Sequence, residues 1–491
     1  MHWGSGVTTI GSTTLRENTV TFGIKDFDRL SHLSVLGRAG SGRGDLLVSM
    51  ALQDASRGVG VLFIDATGTS STKLLERLNE AERERVVFVD PSDAEYPYSF
   101  NVLDDIRMLP PHRAPEALAE MLTRIYAVSP GPVVDAAVPL LLERKDTSLM
   151  TFHSLVVDQD FRTTFFGTNA AQQKLFEATC AGSPELVSAL EAEGKYLAKD
   201  TLVRNVLGQV TSKFTLGELS RGAIIVVDFS RIRMYPTRMA PLIRTFVHGV
   251  RLTAPEDGVP RALYLHDAIR HFTESELDVL FAERGGVAVT VADTLIQEAD
   301  RDRRLYALSR TASIVSFAAH PGDRELLERA FYPFVEADEL VKLEPGEFAV
   351  TLTIDRVRAK PFFAHAEPLP QKQMVSYQDL VVASRERFTT PRSTVDASLR
   401  GGTTSDDPKK KKGPPGSGRG FQDAFRSIFE KQAQKAQGAL PAQPGGQPGA
   451  KPAPVSAPAA PIGAPQPATR PPEKAEIPET VLRDLLYVQP V

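Results

Sequence analysis

Apolar residues in the first hundred positions alternate between short continuous runs and stretches with helical spacing. His32 to Leu36 and Val59 to Asp65 are runs of strand length, whereas Asp45 to Ser56 and Thr72 to Glu80 have the spacing of helices. A change of period from one element to the next predicts strands that alternate with helices. The start of the chain is therefore expected to form an α/β domain.

The pattern changes over residues 103–220. Apolar residues there keep a helical spacing, and Pro, Gly and Ser separate segments such as Pro115 to Ile125 and Pro184 to Leu197. Breakers at the ends of periodic segments are typical of successive helices. This stretch is therefore predicted to be an all-helical insert between the two parts of the α/β domain, residues 1–102 and residues 221–395.

The second part of the α/β domain contains four short apolar runs with helices between them. The runs are Ala223 to Asp228, Ala262 to Leu265, Val287 to Val291 and Ser313 to Phe317. Strands that are apolar throughout, rather than at alternate positions, are typical of a parallel sheet covered on both faces. We therefore expect a mostly parallel central sheet, followed by a strand-rich stretch from Phe348 to Arg356.

Residues 396–491 differ in composition from the rest of the chain. Pro, Ala, Gly and Gln dominate residues 438–472, which have too few apolar side chains to offset the entropy cost of ordering. Apolar residues at helical spacing return near 419–436 and 477–488, where we expect short helices. The segment is predicted to be a disordered tail whose helices dock on a protein partner; an idle tail fits the same composition.

Composition excludes several classes of protein. The chain has 57 Lys and Arg against 61 Asp and Glu, a net charge of -4, so any DNA contact must be local. The N-terminus lacks a signal-peptide pattern, and no stretch approaches the roughly 18 apolar residues that a membrane span needs. The single cysteine, Cys180, fits a reducing compartment. We therefore expect a cytoplasmic protein, recruited by partners wherever a membrane complex is involved.

A glycine-rich segment follows the first apolar run and precedes a predicted helix. Residues 37–44 read Gly-Arg-Ala-Gly-Ser-Gly-Arg-Gly, the spacing of the phosphate-binding loop G-x-x-x-x-G-K-[ST]. Backbone N–H groups of such a turn converge on phosphate at the start of a helix. The candidate nucleotide-binding residues are Gly37, Gly40, Ser41, Gly42, Arg43 and Gly44. A dinucleotide-binding loop fits less well, because the third glycine and the later acidic residue are not in place.

Two positions of this loop depart from the motif. Arg43 replaces the lysine that contacts the β- and γ-phosphates, and a planar guanidinium is not equivalent to a compact ammonium group. Gly44 replaces the Ser or Thr whose hydroxyl ligates Mg²⁺. Asp45 follows, and we expect its carboxylate to cap the helix where phosphate would lie. The loop keeps its glycines but loses its side-chain chemistry.

Other segments resemble the motifs of one family, in the same order along the chain. The matching segments are Phe22 to Leu33, Phe63 to Gly68, Asp90 to Asp93, Tyr96-Pro97, Phe100-Asn101, Arg204 to Gln209 and Phe229 to Arg233. Over residues 20 to 370 the chain thus resembles the FtsK-HerA superfamily of hexameric DNA-pumping ATPases, which includes coupling proteins of conjugation and type IV secretion. The resemblance implies a RecA-like P-loop NTPase domain, ATP with Mg²⁺ as ligands, a hexameric ring and DNA in its central channel.

The family's catalytic residues are mostly replaced in this chain. In the family a buried strand ends in Asp-Glu; the aspartate holds the metal through water and the glutamate activates the attacking water. The resemblance places Asp267 and Ala268 at these positions, and pairing His266-Asp267 with Asp-Glu is an alternative one residue away. The family's γ-phosphate-sensing glutamine and trans-acting arginine correspond to Thr294 and Ala318. Asp267 is therefore the remnant of the catalytic acids.

DNA contacts would come from basic residues near loops that face a central channel. The candidates are Lys213, Arg231, Arg233 and Arg238, which would bind phosphates rather than read bases. A solvated surface explains the same charges. The histidines and Cys180 show no metal-ligand spacing, so no metal site is assigned to them.

Five positions with catalytic roles in the family are changed, while the strands and glycines around them fit the fold. The five are Arg43, Gly44, Ala268, Thr294 and Ala318. The favoured interpretation is a subunit that has lost hydrolysis and acts in DNA transfer or secretion, in a ring with itself or with an active paralogous ATPase. Two alternatives stay open: an active, divergent DNA translocase that uses Arg43 and Asp267 with an unrecognised base, and a protein–protein adaptor that acts through its tail.

Overall fold

The computed structural model describes residues 6–15, 17–254, 259–282, 286–294, 301–373 and 376–399. Within these residues the strands are β1 (Val7–Leu15), β2 (Asn18–Lys25), β3 (Leu33–Leu36), β4 (Gly60–Asp65), β5 (Val86–Val89), β6 (Ile224–Asp228), β7 (Arg261–His266), β8 (Val287–Asp293), β9 (Ser313–Phe317), β10 (Glu347–Thr351), β11 (Thr353–Ile354), β12 (Val357–Arg358) and β13 (Phe362–His365). Eleven of them form one sheet, in the order β2-β1-β13-β10-β9-β3-β8-β7-β4-β6-β5, and β11 pairs with β12.

Seven neighbouring strands of the described sheet, from β9 to β5, are parallel. The register places Val35 of β3 between Ala292 of β8 and Val315 of β9, and Phe63 of β4 beside Tyr264 of β7. Every residue of these seven strands is buried. Continuous burial explains the continuous apolar runs in the sequence. The predicted α/β fold with a mostly parallel central sheet is confirmed.

Four strands extend the sheet in antiparallel fashion beyond β9. β10 pairs with β9, β13 with β10, β1 with β13 and β2 with β1. Sequence patterns did not predict the hairpin of β1 and β2. Its first strand is rich in threonine, and a register shift between Thr9 and Gly11 interrupts the alternation of buried positions. The hydrophobic signal of this hairpin is therefore weak.

Helices connect the strands of the sheet. In the described residues they are α1 (Arg43–Ser56), α2 (Thr69–Leu75), α3 (Glu80–Arg83), α4 (Val102–Arg107), α5 (Ala114–Ile125), α6 (Pro132–Glu143), α7 (Leu149–Val157), α8 (Gln159–Phe166), α9 (Ala170–Ala181), α10 (Pro184–Lys199), α11 (Thr201–Leu207), α12 (Pro236–Leu252), α13 (Glu274–Leu280), α14 (Arg301–Ser309), α15 (Arg324–Phe331), α16 (Ala337–Lys342), α17 (Tyr377–Phe388) and α18 (Arg392–Leu399). Eight consecutive helices, α4 to α11, lie between β5 and β6 in the chain.

The eight consecutive helices share a hydrophobic core with strands β4 to β8. Phe100 precedes α4 and Phe214 follows α11, and their rings stack with a centroid distance of 5.2 Å. Phe246 of α12 stacks on Phe100 at 5.1 Å. Buried aromatic rings contribute large apolar areas to a core. The three rings therefore fix the points at which the chain leaves the sheet and returns to it.

A buried ionic network ties the N-terminal hairpin to the parallel sheet. Arg29 donates to both oxygens of Asp54 on α1, at 2.6 and 2.8 Å, and to the hydroxyls of Thr8 on β1 and Tyr264 on β7, each at 2.9 Å. Arg57 donates to Asp54 at 2.6 Å and to Thr8 at 2.8 Å. Burial alone would raise the pKa of Asp54, but the charge of Arg29 and its hydrogen bonds lower it. Asp54 is therefore an ionised, fully paired anchor.

Helix α17 lies against β5 at one edge of the sheet. The hydroxyl of Ser384 accepts a hydrogen bond from the N–H of Phe88 at 2.8 Å and donates one to the carbonyl of the same residue, also at 2.8 Å. An edge strand otherwise leaves such backbone groups unpaired. The helix thus satisfies the exposed side of β5 with a side chain.

The tail predicted from residue 396 begins inside α18, and residues 400–491 lie outside the described residues. The short helices expected near 419–436 and 477–488 fall in that segment. Among the helices that are described, none combines the length and the apolar character needed to cross a bilayer.

Candidate functional site

The glycine-rich loop joins the end of β3 to the start of α1, at the edge of the sheet where the parallel strands end. Gly37, Gly40 and Gly42 have φ angles of +155°, +80° and +114°. These values favour glycine, because other residues are strained at positive φ. Gly42 is the N-cap of α1, and no side chain caps the first turn. The loop therefore presents backbone at a helix N-terminus, as its sequence predicted.

Ser41 does not direct its hydroxyl into the open side of the loop. Its Oγ is buried, has no hydrogen-bond partner among the described residues, and lies 2.5 Å from the point that a Cβ at Gly37 would occupy. Gly40, by contrast, has nothing within 4 Å of its equivalent point. Ser41 thus packs beneath the loop, and the open side is lined by Gly40.

Gly44 lies where an added side chain would crowd its neighbours. A Cβ at this position would lie 2.7 Å from Oγ of Ser70 and 3.1 Å from Cε1 of His266. Contacts this short force a neighbour to move. The motif has a Ser or Thr at this position, whose hydroxyl binds the metal. In this chain the position is Gly44, and side chains of α2 and of the end of β7 pack closely against it.

Asp45 does not cap α1 as expected. Its carboxylate is hydrogen-bonded to Nζ of Lys73 on α2, and both side chains are partly exposed. The carboxylate forms a charge-assisted hydrogen bond to Lys73 in place of a bond to the backbone N–H groups of α1, so the predicted cap is wrong.

Arg43 and Asp267, which are 224 positions apart in sequence, form a two-point pair. Nη1 and Nη2 of Arg43 donate to Oδ1 and Oδ2 of Asp267 at 2.6 and 2.8 Å. The Arg43 side chain is only 6% exposed. Burial alone would raise the pKa of Asp267, but the hydrogen bonds and charge of Arg43 lower it. The structure thus joins the candidate phosphate-binding residue to the candidate acid.

Asp65, at the end of β4, orients His266. Its Oδ1 lies 3.2 Å from Nδ1 of His266 and accepts hydrogen bonds from the N–H and the hydroxyl of Thr67. Its Oδ2 accepts from the N–H groups of Ser70 and Ser71, at 2.9 and 2.8 Å, and so caps α2. Burial alone would raise the pKa of Asp65, but its hydrogen bonds hold it well below the usual range. The sequence marked Asp65 only as part of a strand end that resembles the family, and His266 only through the alternative pairing with Asp-Glu; the contact between the two was not predicted.

Asp293, at the end of β8, is a second deeply buried acid of this site, at 3% exposure. Nη2 of Arg304 lies 3.2 Å from its Oδ1, but neither carboxylate oxygen has a well-aligned hydrogen bond from a described residue. Burial, with the neighbouring charge of Asp267, raises the pKa of Asp293 to about 6. Arg304 also donates to the carbonyl of Thr294. The sequence patterns assigned Asp293 no role at the site.

Two positions aligned with catalytic residues carry buried methyl groups. Ala268 is 0% exposed and belongs to the hydrophobic core, and Ala318 is 1% exposed. The carbonyl of Ala318 accepts a hydrogen bond from the N–H of Arg38 in the glycine-rich loop, at 2.9 Å. At these positions the side chains pack within the fold and offer no polar group to a nucleotide.

Three of the four candidate DNA-binding residues have partners within the chain. Lys213 donates to the carbonyl of Thr389, Arg231 to Asp90 at 2.8 Å, and Arg238 to Asp200 at 2.5 Å. Arg233 is exposed, and the structure shows no ion pair between it and another described residue. The four do not form one cluster of free charge.

Neither a protein-family model nor a curated protein sequence matches the chain. Solved structures of the bacterial conjugative coupling protein TrwB share its fold. The unbound form, TrwBdeltaN70, is 15% identical, covers 74% of this chain and 91% of its own, and gives a TM-score of 0.52. The complex with the ATP analogue ADPNP is 17% identical, with the same coverage and a TM-score of 0.52. The complex with ADP and Mg²⁺ is 15% identical, covers 72% and 88%, and gives 0.51. At these identities the likeness shows the fold, and it confirms the expected P-loop architecture.

Proposed function

We propose that this chain is a coupling-protein-like subunit of a DNA-transfer or secretion machine whose own nucleotide site no longer hydrolyses ATP. The pair between Arg43 and Asp267 is the observation that carries the proposal. The fold supports a nucleotide site at this edge of the sheet, because TrwB structures of the same fold are complexes with ADP and with analogues of ATP and GTP.

The paired guanidinium is poorly placed to hold phosphate. Both of its terminal nitrogens are engaged by Asp267, and the side chain is almost completely buried. The side chain of Asp267 is 23% exposed, so breaking this pair costs less than the roughly 3–5 kcal/mol that is typical of a fully buried ion pair. A nucleotide that recruited Arg43 would have to offset that cost. The pairing also makes Asp267 a weak base, because its lowered pKa reduces its affinity for a proton.

The other catalytic groups of the family have no side-chain equivalents at the aligned positions. Ala268 and Ala318 are buried methyl groups, and the backbone carbonyl of Thr294 is occupied by Arg304. An arginine supplied to a neighbouring site is worth about 10³–10⁵ in rate. Loss of the arginine at position 318 would therefore also silence a neighbour that depended on it.

The ring and its partners follow from the same proposal. A subunit without hydrolysis acts through assembly, either with itself or with an active paralogous ATPase in a hexameric ring. DNA in the channel would contact Arg233 directly. Contacts to Lys213, Arg231 and Arg238 would first require these residues to leave their partners within the chain. The tail, residues 396–491, would bind a protein partner.

Steady-state ATP hydrolysis by the purified full chain tests the proposal. Wild type and Asp267→Ala are compared with and without double-stranded DNA, with ATP binding measured in parallel. We expect no turnover above that of the variant. DNA-stimulated turnover that disappears in Asp267→Ala would show a working pump and end the proposal.

A second candidate function is an active, divergent translocase, and His266 is the observation that favours it. The imidazole is oriented by Asp65 through Nδ1, and its Nε2 lies 3.9 Å from Asp267. An imidazole held by a carboxylate is a common general base. If the wild type hydrolyses ATP, His266→Gln distinguishes the two candidates: loss of turnover in that variant assigns the missing base, and retained turnover excludes His266.

A further inference from the structure

The metal that accompanies nucleotide at a P-loop finds few ligands here. Mg²⁺ binds oxygen in near-octahedral geometry at about 2.0–2.1 Å. In the motif, one ligand is the hydroxyl of the residue that is Gly44 in this chain. A Cβ at that position would lie 2.7 Å from Ser70 Oγ and 3.1 Å from His266 Cε1, so both side chains would have to shift. The loop therefore does not fit Mg²⁺ in the expected way.

His266, rather than Asp267, is the β7 residue that faces Gly44. Its ring lies 3.1 Å from the Cβ point of Gly44, and Asp65 occupies its Nδ1. Asp267 has a φ angle of +55° and directs its carboxylate to Arg43. A hydroxyl and an acid that share one metal must face each other. An imidazole, rather than a carboxylate, thus faces the position where the motif places its metal-binding hydroxyl.

Arg43 lies among the carboxylates at this edge. Besides Asp267, the charges of Asp293 and Asp65 act on its guanidinium. Burial alone would lower the pKa of Arg43, but the hydrogen bond to Asp267 and these three charges raise it. Arg304 provides a second cation beside Asp293. Two arginines therefore face three carboxylates, and most of the negative charge that would attract a divalent ion is already offset within the chain.

We propose that the guanidinium of Arg43 takes the place of the divalent cation, so that this edge of the sheet holds no Mg²⁺ and any polyphosphate at the loop binds without metal. The inference rests on the proposed function for the assignment of this edge as the nucleotide site. It concerns which cation occupies the site and not whether ATP is hydrolysed there.

Binding of Mn²⁺ to the full chain, followed by the electron paramagnetic resonance signal of the free ion, tests the inference. We expect no one-to-one site in the wild type. Arg43→Ala leaves Asp267 without its paired cation and removes one of the two arginine charges that act on Asp293, and should gain at least tenfold in Mn²⁺ affinity. Lys73→Ala is the matched control. It removes the cation from the partly exposed pair with Asp45, which lies on α1 as Arg43 does, and should gain no Mn²⁺ affinity. The double variant Arg43→Ala, Asp267→Asn should lose the gain.

A one-to-one Mn²⁺ site in the wild type that Asp267→Asn abolishes would overturn the inference. If Arg43→Ala does not fold, Arg43→Gln keeps a hydrogen-bond donor for Asp267 without charge, and a folded Arg43→Gln that gains no Mn²⁺ affinity also overturns it. Hydrolysis separates the two proposals. Mn²⁺ bound by an inactive wild type sinks only this inference, whereas DNA-stimulated turnover sinks the proposed function.

Discussion

Gly44 and His266 face each other so closely that a Cβ at position 44 would lie 3.1 Å from Cε1 of the imidazole, with Ser70 Oγ closer still at 2.7 Å. The close packing around position 44 thus favours glycine over the Ser or Thr of the phosphate-binding motif. A Ser or Thr at position 44 therefore enters the site only if Ser70 and His266 shift.

Gly44→Thr is therefore expected to destabilise the fold. Overpacking of this kind costs about 1–3 kcal/mol, since Ser70 and His266 must shift to admit the side chain. The free energy of unfolding in urea measures the change. Gly182→Ala is the control, because a Cβ there meets nothing closer than 3.5 Å. Equal stability of Gly44→Thr and wild type would contradict the packing described here.

Asp54→Asn should lower the free energy of unfolding by about 3–5 kcal/mol. The substitution leaves Arg29 buried without its carboxylate, and an uncompensated buried charge is costly. Chemical denaturation with an unchanged m-value reports the loss. Lys25→Ala is the comparison: its pair with Asp355 is largely exposed and should contribute less than about 1 kcal/mol. A similar small effect for Asp54→Asn would show that the network is not a structural anchor.

Asp293 should make the chain less stable as the pH rises. Its pKa of about 6 in the folded chain lies above that of an unfolded aspartate, so the folded chain binds the proton more tightly between about pH 4 and pH 6. Ionisation across that window costs stability. The groups that act on this carboxylate are Asp267, Arg304, Arg43 and His266. Asp293→Asn should therefore gain stability relative to wild type on going from pH 4 to pH 7, by on the order of 2 kcal/mol.

Thermal unfolding of wild type and Asp293→Asn at a series of pH values tests this dependence. A constant difference between Asp293→Asn and wild type from pH 4 to pH 7 would mean that Asp293 does not titrate in this window.

Arg233 and Arg238 should respond differently to substitution. Arg233 is exposed, whereas Arg238 pairs with Asp200, whose carboxylate also caps α11, and lies 4.7 Å from the ring centroid of Tyr235. Arg233→Ala is expected to leave the melting temperature unchanged and, if the chain binds DNA, to weaken binding and reduce its salt dependence. Arg238→Ala should instead lower the melting temperature. Fluorescence anisotropy with a labelled duplex at several salt concentrations, together with thermal melts, distinguishes these outcomes.

The parallel sheet was readable from the sequence because burial on both faces makes its strands apolar throughout. Ser313–Phe317 has the predicted bounds, and Val287–Asp293 extends two residues beyond the prediction because the chain continues the sheet through Asp293. The helix expected over Thr72 to Glu80 instead spans Thr69–Leu75. Asp65 explains the earlier start, since its carboxylate accepts the N–H groups of Ser70 and Ser71.

The side-chain chemistry of the site could be predicted only in part. The glycine-rich loop has a fixed local spacing and was found at once. The pairing of Arg43 with Asp267 depends on the side-by-side order of β3, β8 and β7, which no local pattern encodes. Which residue of β7 faces Gly44 depends on where that strand ends and on the left-handed backbone of Asp267. These are properties of the assembled sheet.

Ser384 of α17 covers the edge strand β5, and this limits how copies of this chain can associate. Adding a foreign strand at that border would require α17 to be displaced and both hydrogen bonds to Phe88 to be broken. Sheet-to-sheet fusion between protomers is thereby disfavoured on this flank. Any assembly that uses this flank must instead form through contacts between side chains. Such contacts can form and separate without breaking hydrogen bonds between strands.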